Sequence, residues 1–274
     1  MSFQEKQGMK TSTAPKSSCD SYSNSLFIQV PLSEVTSVGG RRSSKKRKLS
    51  SRPPSQLTRG IPTQLTEGSP GNVIIHNPHN AAAVYMSGCY GKGSLSKGPP
   101  LGCLDRSEHL ILTPCEAFYL ITSNAIKVLN LNNEVVSSEE LWRIWTAYNA
   151  IFPHLYKVYK HFRDKGYVVR SGLTYGGDFV LYTGDPNTGH APYVVRVVCG
   201  AQSSYPPQWN DINSVRRVSE SVAKELIMAF VSFSGLSGCN VTACDSATVR
   251  TVLLKRWIPS RDRELTGKNE ESTG

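Results

Sequence analysis

The hydrophobic period of this chain changes near residue 167, and that change restricts it to mixed α/β architectures. From Tyr167 onward, YVVRSG, DFVLYTGD and APYVVRVVCG are β-branched and aromatic runs broken by Gly, Asp, Asn and Pro, the pattern of short strands joined by turns. Before that point the apolar residues fall at helical spacing. Thr113 or Pro114 opens a helix carrying Ala117, Phe118, Leu120 and Ile121. Ser137 or Ser138 caps the next, with Glu139 and Glu140 in its first turn, where the helix dipole favours acids. Leu141, Trp142, Trp145 and Tyr148 then recur at helical spacing and are expected in the core rather than as a stacking row for RNA bases. Pro153 starts a further helix with Tyr156, Tyr159, His161 and Phe162, ending at Gly166.

The ends of the chain differ from its middle. Residues 1–70 carry 11 Lys/Arg against 4 Asp/Glu, leaving 20 against 17 for the remainder. The basic excess behind the net charge of +10 therefore belongs mainly to the N-terminal segment. That segment is rich in Ser, Thr, Pro and Gln and is expected to be a disordered basic tail. Its one apolar island, SLFIQVPL, suggests a docking segment. RRSSKKRK (Arg41 to Lys48) reads as a nuclear localisation signal or an RNA-contacting arm, against the alternative of a solvated charge run. The seven cysteines are odd in number and include no CxxC, which favours reduced thiols over a disulfide framework. No apolar run approaches the roughly 18 residues of a membrane span, and no membrane association is expected.

The folded part is placed from residue 71. NVIIHN reads as a strand, after which Asn80 is a candidate cap for a short helix through Tyr85 and Met86. GCYGKGSLSKG is Gly-rich and basic but lacks the GxxxxGK[ST] spacing of a phosphate loop. Further on, a helix capped near Asp211 or Asn213 is expected to run through Val215, Val218, Val222, Leu226, Ile227 and Phe230, and Ala247 to Trp257 reads as the last strand.

Three polar residues stand out. Tyr182 closes a strand, His190 follows the TGDPNTG turn, and Lys224 is placed on the helix after that. Each alone has an ordinary reading: a strand tyrosine, a turn histidine, a solvated lysine. A strand end, a strand start and a helix can meet at one edge of a small sheet.

The segment GLTYGGDFVLYTGDPNTGHAPYVVRV, followed by RRVSESVAKELIMAF, resembles the catalytic domain of the tRNA-intron endonucleases: YG.DF..Y, a turn, a histidine at a strand start, then RV..SV.K. It departs from the common pattern at Ala191, where Ser is frequent. HNPHNAAAVYMSGCYGKGSLSK and LKRWIPSRDRE look like the eukaryotic subunit that cuts the 5′ splice site. The resemblance implies an α/β chain with a small N-terminal α/β domain (residues 71–152), a mixed-sheet catalytic domain of restriction-endonuclease-like fold (153–263) and a polar tail (264–274). It implies Tyr182 as general base toward the ribose 2′-hydroxyl, His190 as general acid toward the leaving 5′-oxygen, and Lys224 as stabiliser of the transition-state charge. Arg217 and Trp257 fall at the family's positions for clamping a flipped intron base. No metal or cofactor is implied, because attack by a neighbouring hydroxyl already has the advantage of proximity. A tyrosine is a poor base at its reference pKa of about 10, so a cation such as Lys224 is expected beside it. The implied partners are precursor tRNA and the other subunits of a heterotetrameric enzyme, and the implied site of action is the nucleus. Two other readings stay open: a non-catalytic RNA-binding or scaffolding subunit of the same fold, and a metal-dependent nuclease using Asp178 and Asp185.

Overall fold

The computed structural model describes residues 27–31, 61–65, 71–95, 108–130, 132–199, 208–233 and 241–256. In chain order the elements are β1 (Phe27–Pro31), β2 (Ile61–Leu65), β3 (Val73–Ile75), α1 (Pro78–Gly88), β4 (Lys92–Gly93), β5 (Leu110–Leu112), α2 (Pro114–Thr122), β6 (Ile126–Leu129), α3 (Ser138–Tyr148), α4 (Phe152–Asp164), β7 (Val168–Ser171), β8 (Phe179–Tyr182), β9 (Tyr193–Cys199), α5 (Trp209–Ser221), β10 (Glu225–Ser232), α6 (Val241–Ser246) and β11 (Thr248–Arg256). They form two sheets, ordered β4-β5-β3-β2-β6 and β1-β11-β10-β9-β8-β7. The architecture is mixed α/β in both halves.

Local chemistry sets the helix ends. The side chain of Asn77 accepts from the backbone of His79 and Asn80, so it, and not Asn80, caps α1. Pro78 then occupies the first turn, where its missing N–H costs nothing. Thr113 and Glu116 form a reciprocal capping box on α2. The Glu116 carboxylate, itself buried, also accepts from the backbone N–H of Gly91 at 3.0 Å.

The two halves share one hydrophobic cluster, running from Val73 and Ile75 of the first sheet through α2 and α4 to Val168, Leu181 and Ile227 of the second. Its centre is aromatic. Phe118 meets Tyr156 at 4.8 Å and Trp142 at 5.0 Å between ring centroids, and Trp142 meets Phe152 at 5.2 Å. These tilted and edge-on packings suit the ring quadrupoles. Trp142 and Trp145 are thus core residues, as their spacing predicts, but Tyr148 at the end of α3 is 65% exposed.

Three sequence expectations change. First, residues 1–70 contain strands. The disorder expected there falls mostly outside the described residues, but β2 lies inside the first sheet, antiparallel to β3 and parallel to β6. IPTQL is too short and polar to announce itself. Its place is set by ladders on both sides and by Thr63, whose hydroxyl donates to the Lys127 carbonyl at 3.1 Å. The island FIQVP is β1, which takes the position outside β11.

Second, the helix expected to reach Phe230 stops at Ser221. Ala223 adopts φ +54°, a left-handed conformation that ends the helix. The following ELIMAFVS is a central strand, parallel to β9 and antiparallel to β11. Its apolar residues satisfy a helical period by coincidence, an ambiguity inherent in short apolar runs. Third, the same helix starts earlier than expected. Gln208 caps it, paired with Asp211 three residues on.

Cys89, Cys115 and Cys244 are buried free thiols and Cys199 is partly exposed, with no disulfide among the described residues. No helix among them is long and apolar enough to cross a membrane.

Candidate active site

Strand direction brings the three sequence candidates together. β8 and β9 are antiparallel, with Leu181 opposite Tyr193, so the end of β8 lies beside the start of β9. β9 and β10 are parallel, with Tyr193 opposite Glu225, so their starts lie side by side. Tyr182 is the last residue of β8, His190 lies just ahead of β9, and Lys224 immediately precedes β10. All three therefore occupy one end of the sheet. Lys224 is not on the helix, as its sequence context suggests, but in the link that follows it.

That link holds Lys224 firmly. Its backbone N–H donates to Ser219 at 2.8 Å, and the N–H of Glu225 donates to the Pro192 carbonyl at 2.9 Å. The Lys224 Nζ donates to the carbonyl of Ala191 at 2.6 Å and lies 4.9 Å from the centroid of the Tyr175 ring, within cation–π range. The ammonium is thus anchored to the residue next to His190. His190 itself is exposed. The methyl of Ala191, where the family often has Ser, is buried in an apolar cluster with Val180, Val194, Leu226 and Met228.

Tyr182 is half-buried, and burial pushes its phenol above the ordinary value. Tyr175 adds to the rise, and Arg170 opposes it. Arg170 lies diagonal to Tyr182 in the β7–β8 ladder, where Val168 faces Tyr182 and Arg170 faces Val180. Arg170 is thus a cation that lowers the phenol's pKa from across the ladder. Lys224 meets Ala191 and Tyr175.

The YGGDF motif builds the platform under these groups. Leu173–Tyr175 form a 3-10 turn, and Gly176 follows at φ +71°. Gly177 packs so closely on β9 that a Cβ there would lie 2.3 Å from Val194 Cγ1. Asp178 accepts from the Val197 N–H at 2.7 Å and from Arg196 at 3.3 Å, pinning the turn to β9. Asp185 accepts from the backbone and amide of Asn187 at 2.9 and 2.8 Å, shaping the turn ahead of His190. The two carboxylates considered as metal ligands are both engaged in building turns.

Arg217 is exposed on α5, while the neighbouring Arg216 pairs with Glu220 at 2.5 Å. Trp257 lies outside the described residues, as do Arg41 to Lys48. The sequence reading gave no role to Tyr175, Arg170, Tyr85 or Asn187. Tyr175 was signalled by its place in the motif. The others carry no local signal, because their partners are distant in the chain.

Comparison with known proteins agrees with this organisation. Residues 152–236 match the family model "tRNA intron endonuclease, catalytic C-terminal domain", and residues 67–142 match "tRNA intron endonuclease, N-terminal domain". The chain is 37% identical over 159 residues to a tRNA-splicing endonuclease of Saccharolobus islandicus, covering 58% of this chain and 85% of that protein. It is 36% identical over 162 residues to the tRNA-splicing endonuclease of Sulfurisphaera tokodaii, covering 59% and 87%. A probable tRNA-splicing endonuclease subunit Sen2 of Oryza sativa subsp. japonica is 38% identical over 162 residues, covering 56% of this chain and 55% of that one. The chain belongs to the tRNA intron endonuclease family of endoribonucleases, and carries both its N-terminal and its catalytic domain.

Proposed function

We propose that this chain is a catalytic subunit of a nuclear tRNA-splicing endonuclease that cuts precursor tRNA at the 5′ splice site, leaving a 2′,3′-cyclic phosphate and a 5′-hydroxyl without a metal ion. The observation that carries the reading is the convergence of Tyr182, His190 and Lys224 at one end of the second sheet. Tyr182 takes the proton from the ribose 2′-hydroxyl, which attacks the adjacent phosphorus. His190 protonates the 5′-oxygen as it departs, a task suited to an imidazole near neutral pH. Lys224 stabilises the charge gathering on the non-bridging oxygens. Its tether to the Ala191 carbonyl supports this role by keeping the ammonium next to the acid.

The assignment to the 5′ junction rests on the stretches 76–97 and 254–264, which resemble the subunit serving that site. The chain works beside the other subunits of a heterotetramer. In it, Arg217 and Trp257 hold a flipped base of the junction cut by the opposite catalytic subunit, and the basic run around Lys45–Lys48 directs import.

Reconstitution with partner subunits tests this reading. An intron-containing precursor tRNA is cut in excess EDTA and the termini are mapped. The expected result is His190-dependent cleavage at the 5′ junction with a cyclic phosphate end. Loss of cutting in EDTA, a linear phosphate as the first product, or His190→Ala acting at the 3′ junction would each overturn it.

A further inference from the structure

The turn that carries His190 is joined to the other half of the chain by a continuous line of hydrogen bonds. Tyr85, near the end of α1, is 2% exposed. Its hydroxyl lies 3.0 Å from Asn187 Nδ2 and 3.2 Å from Asn187 Oδ1, across 102 residues of sequence. Arg170 donates to the same hydroxyl at 3.3 Å, donates to the Gly91 carbonyl through its other amino group, and lies 5.5 Å from the centroid of the Tyr85 ring. Asn187 in turn donates to the Asp185 carboxylate at 2.8 Å.

A tyrosine hydroxyl has one proton to give and two lone pairs, and an amide has both a donor and an acceptor end. One assignment places a single proton in each contact: Arg170 to Tyr85, Tyr85 to Asn187 Oδ1, Asn187 Nδ2 to Asp185. A cation stands at one end and a carboxylate at the other, so every bond in the line polarises the next in the same sense. Burial pushes the Tyr85 phenol above its ordinary value, which keeps the bridging proton in place.

We propose that Tyr85 and Asn187 are positioning residues for the reaction: they lock the turn Asp185–Thr188 to the N-terminal half and so fix His190, two residues further on. This rests on the reading of His190 as the general acid. His190 is exposed and lies on a turn, yet both sides of it are pinned. Asn187 holds the chain before it, and Lys224 holds the Ala191 carbonyl after it. A general acid must sit within hydrogen-bond reach of the leaving oxygen, and a misplacement of about 1 Å costs on the order of a hundredfold in rate. The lock also gives the N-terminal half a part in the chemistry of a site to which it contributes no reacting group.

The test uses the reconstituted enzyme with Tyr85→Phe, Asn187→Ala, His190→Ala and the double variant Tyr85→Phe/His190→Ala, measured in single turnover at each junction. The expected result is a loss of about 10- to 100-fold in the cleavage step at this subunit's junction for Tyr85→Phe and for Asn187→Ala. The substrate concentration for half-maximal rate stays within about twofold, and the other junction is unaffected. Tyr85→Phe should cost nothing further once His190 is gone, because it acts only through that residue. Equal losses at both junctions, a full additional loss in the double variant, or a wild-type rate for either single variant would overturn the lock. Asn187 is exposed on its turn, so its variant reports on the lock even if Tyr85→Phe disturbs folding. An unaltered rate in His190→Ala would instead refute the catalytic reading on which the lock depends.

Discussion

Replacing Lys224 with Met separates the proposed charge stabilisation from the observed tether to Ala191. The thioether keeps most of the stem's volume and removes the charge and the donor. The catalytic part of the loss is that of one electrostatic donor to a developing anion, about 100- to 1,000-fold in the cleavage step. The structural part comes from the carbonyl of Ala191, itself a 3% exposed residue, which loses a partner at 2.6 Å. An acceptor so stranded costs about 1–3 kcal/mol. At about 2–4 °C per kcal/mol for a chain of this size, a loss of about 1.5 kcal/mol lowers Tm by about 3–6 °C. Lys224→Arg restores the charge but offers a planar fork where the site holds a compact ammonium, so it should recover more of the Tm than of the rate. Single-turnover cleavage by the reconstituted enzyme and a thermal melt of the same sample read the two parts independently. A Lys224→Met enzyme that keeps more than a third of the wild-type rate would refute the role in charge stabilisation. An unchanged Tm with the full loss of rate would refute the tether.

Three further outcomes follow from other parts of the molecule. Tyr175→Phe keeps the ring against Lys224 but removes a phenol that helps to raise the pKa of Tyr182, so the rise of cleavage rate with pH should move to lower pH; a shift to higher pH in a pH–rate profile would contradict Tyr182 as base. Gly172→Ala would place a Cβ 2.6–2.8 Å from the backbone of Phe179, and the forced opening of the β7–β8 pair should cost about 1–3 kcal/mol, read as a fall in Tm of several degrees. On the proposed division of junctions, Trp257→Ala should slow the 3′ junction by about 5- to 150-fold, matching about 1–3 kcal/mol of base stacking; an equal loss at both junctions would make this tryptophan structural.

What the sequence revealed follows from the range of the interactions concerned. Thr113, Ser137 and Pro153 mark helix starts because a cap acts within three or four residues. The motif that carries Tyr182, His190 and Lys224 is legible because motif order survives in one dimension. Lys224 was nevertheless assigned to a helix, since nothing in VAKELIMAF distinguishes a central strand flanked on both sides from the continuation of an apolar helical face. β2 was missed for the complementary reason: IPTQL has little apolar content of its own and is held by neighbours on both sides. The influence of Arg170 on Tyr182 is not legible in the sequence because it acts across a ladder rather than along the chain.

The parallel pairing of β9 with β10 also bears on the order in which the proposed site assembles during folding. Antiparallel β7, β8 and β9 can zip as successive neighbours, but Lys224 reaches Ala191 only after a crossover closes 33 residues of chain. Contacts across such a span carry a greater loop-closure cost than local pairings and form later. A nascent or partly folded chain therefore holds its tyrosine and histidine without the lysine. On the proposed chemistry, the ability to cut RNA arrives only when the starts of β9 and β10 have met, so an incomplete molecule poses little hazard to the RNA around it.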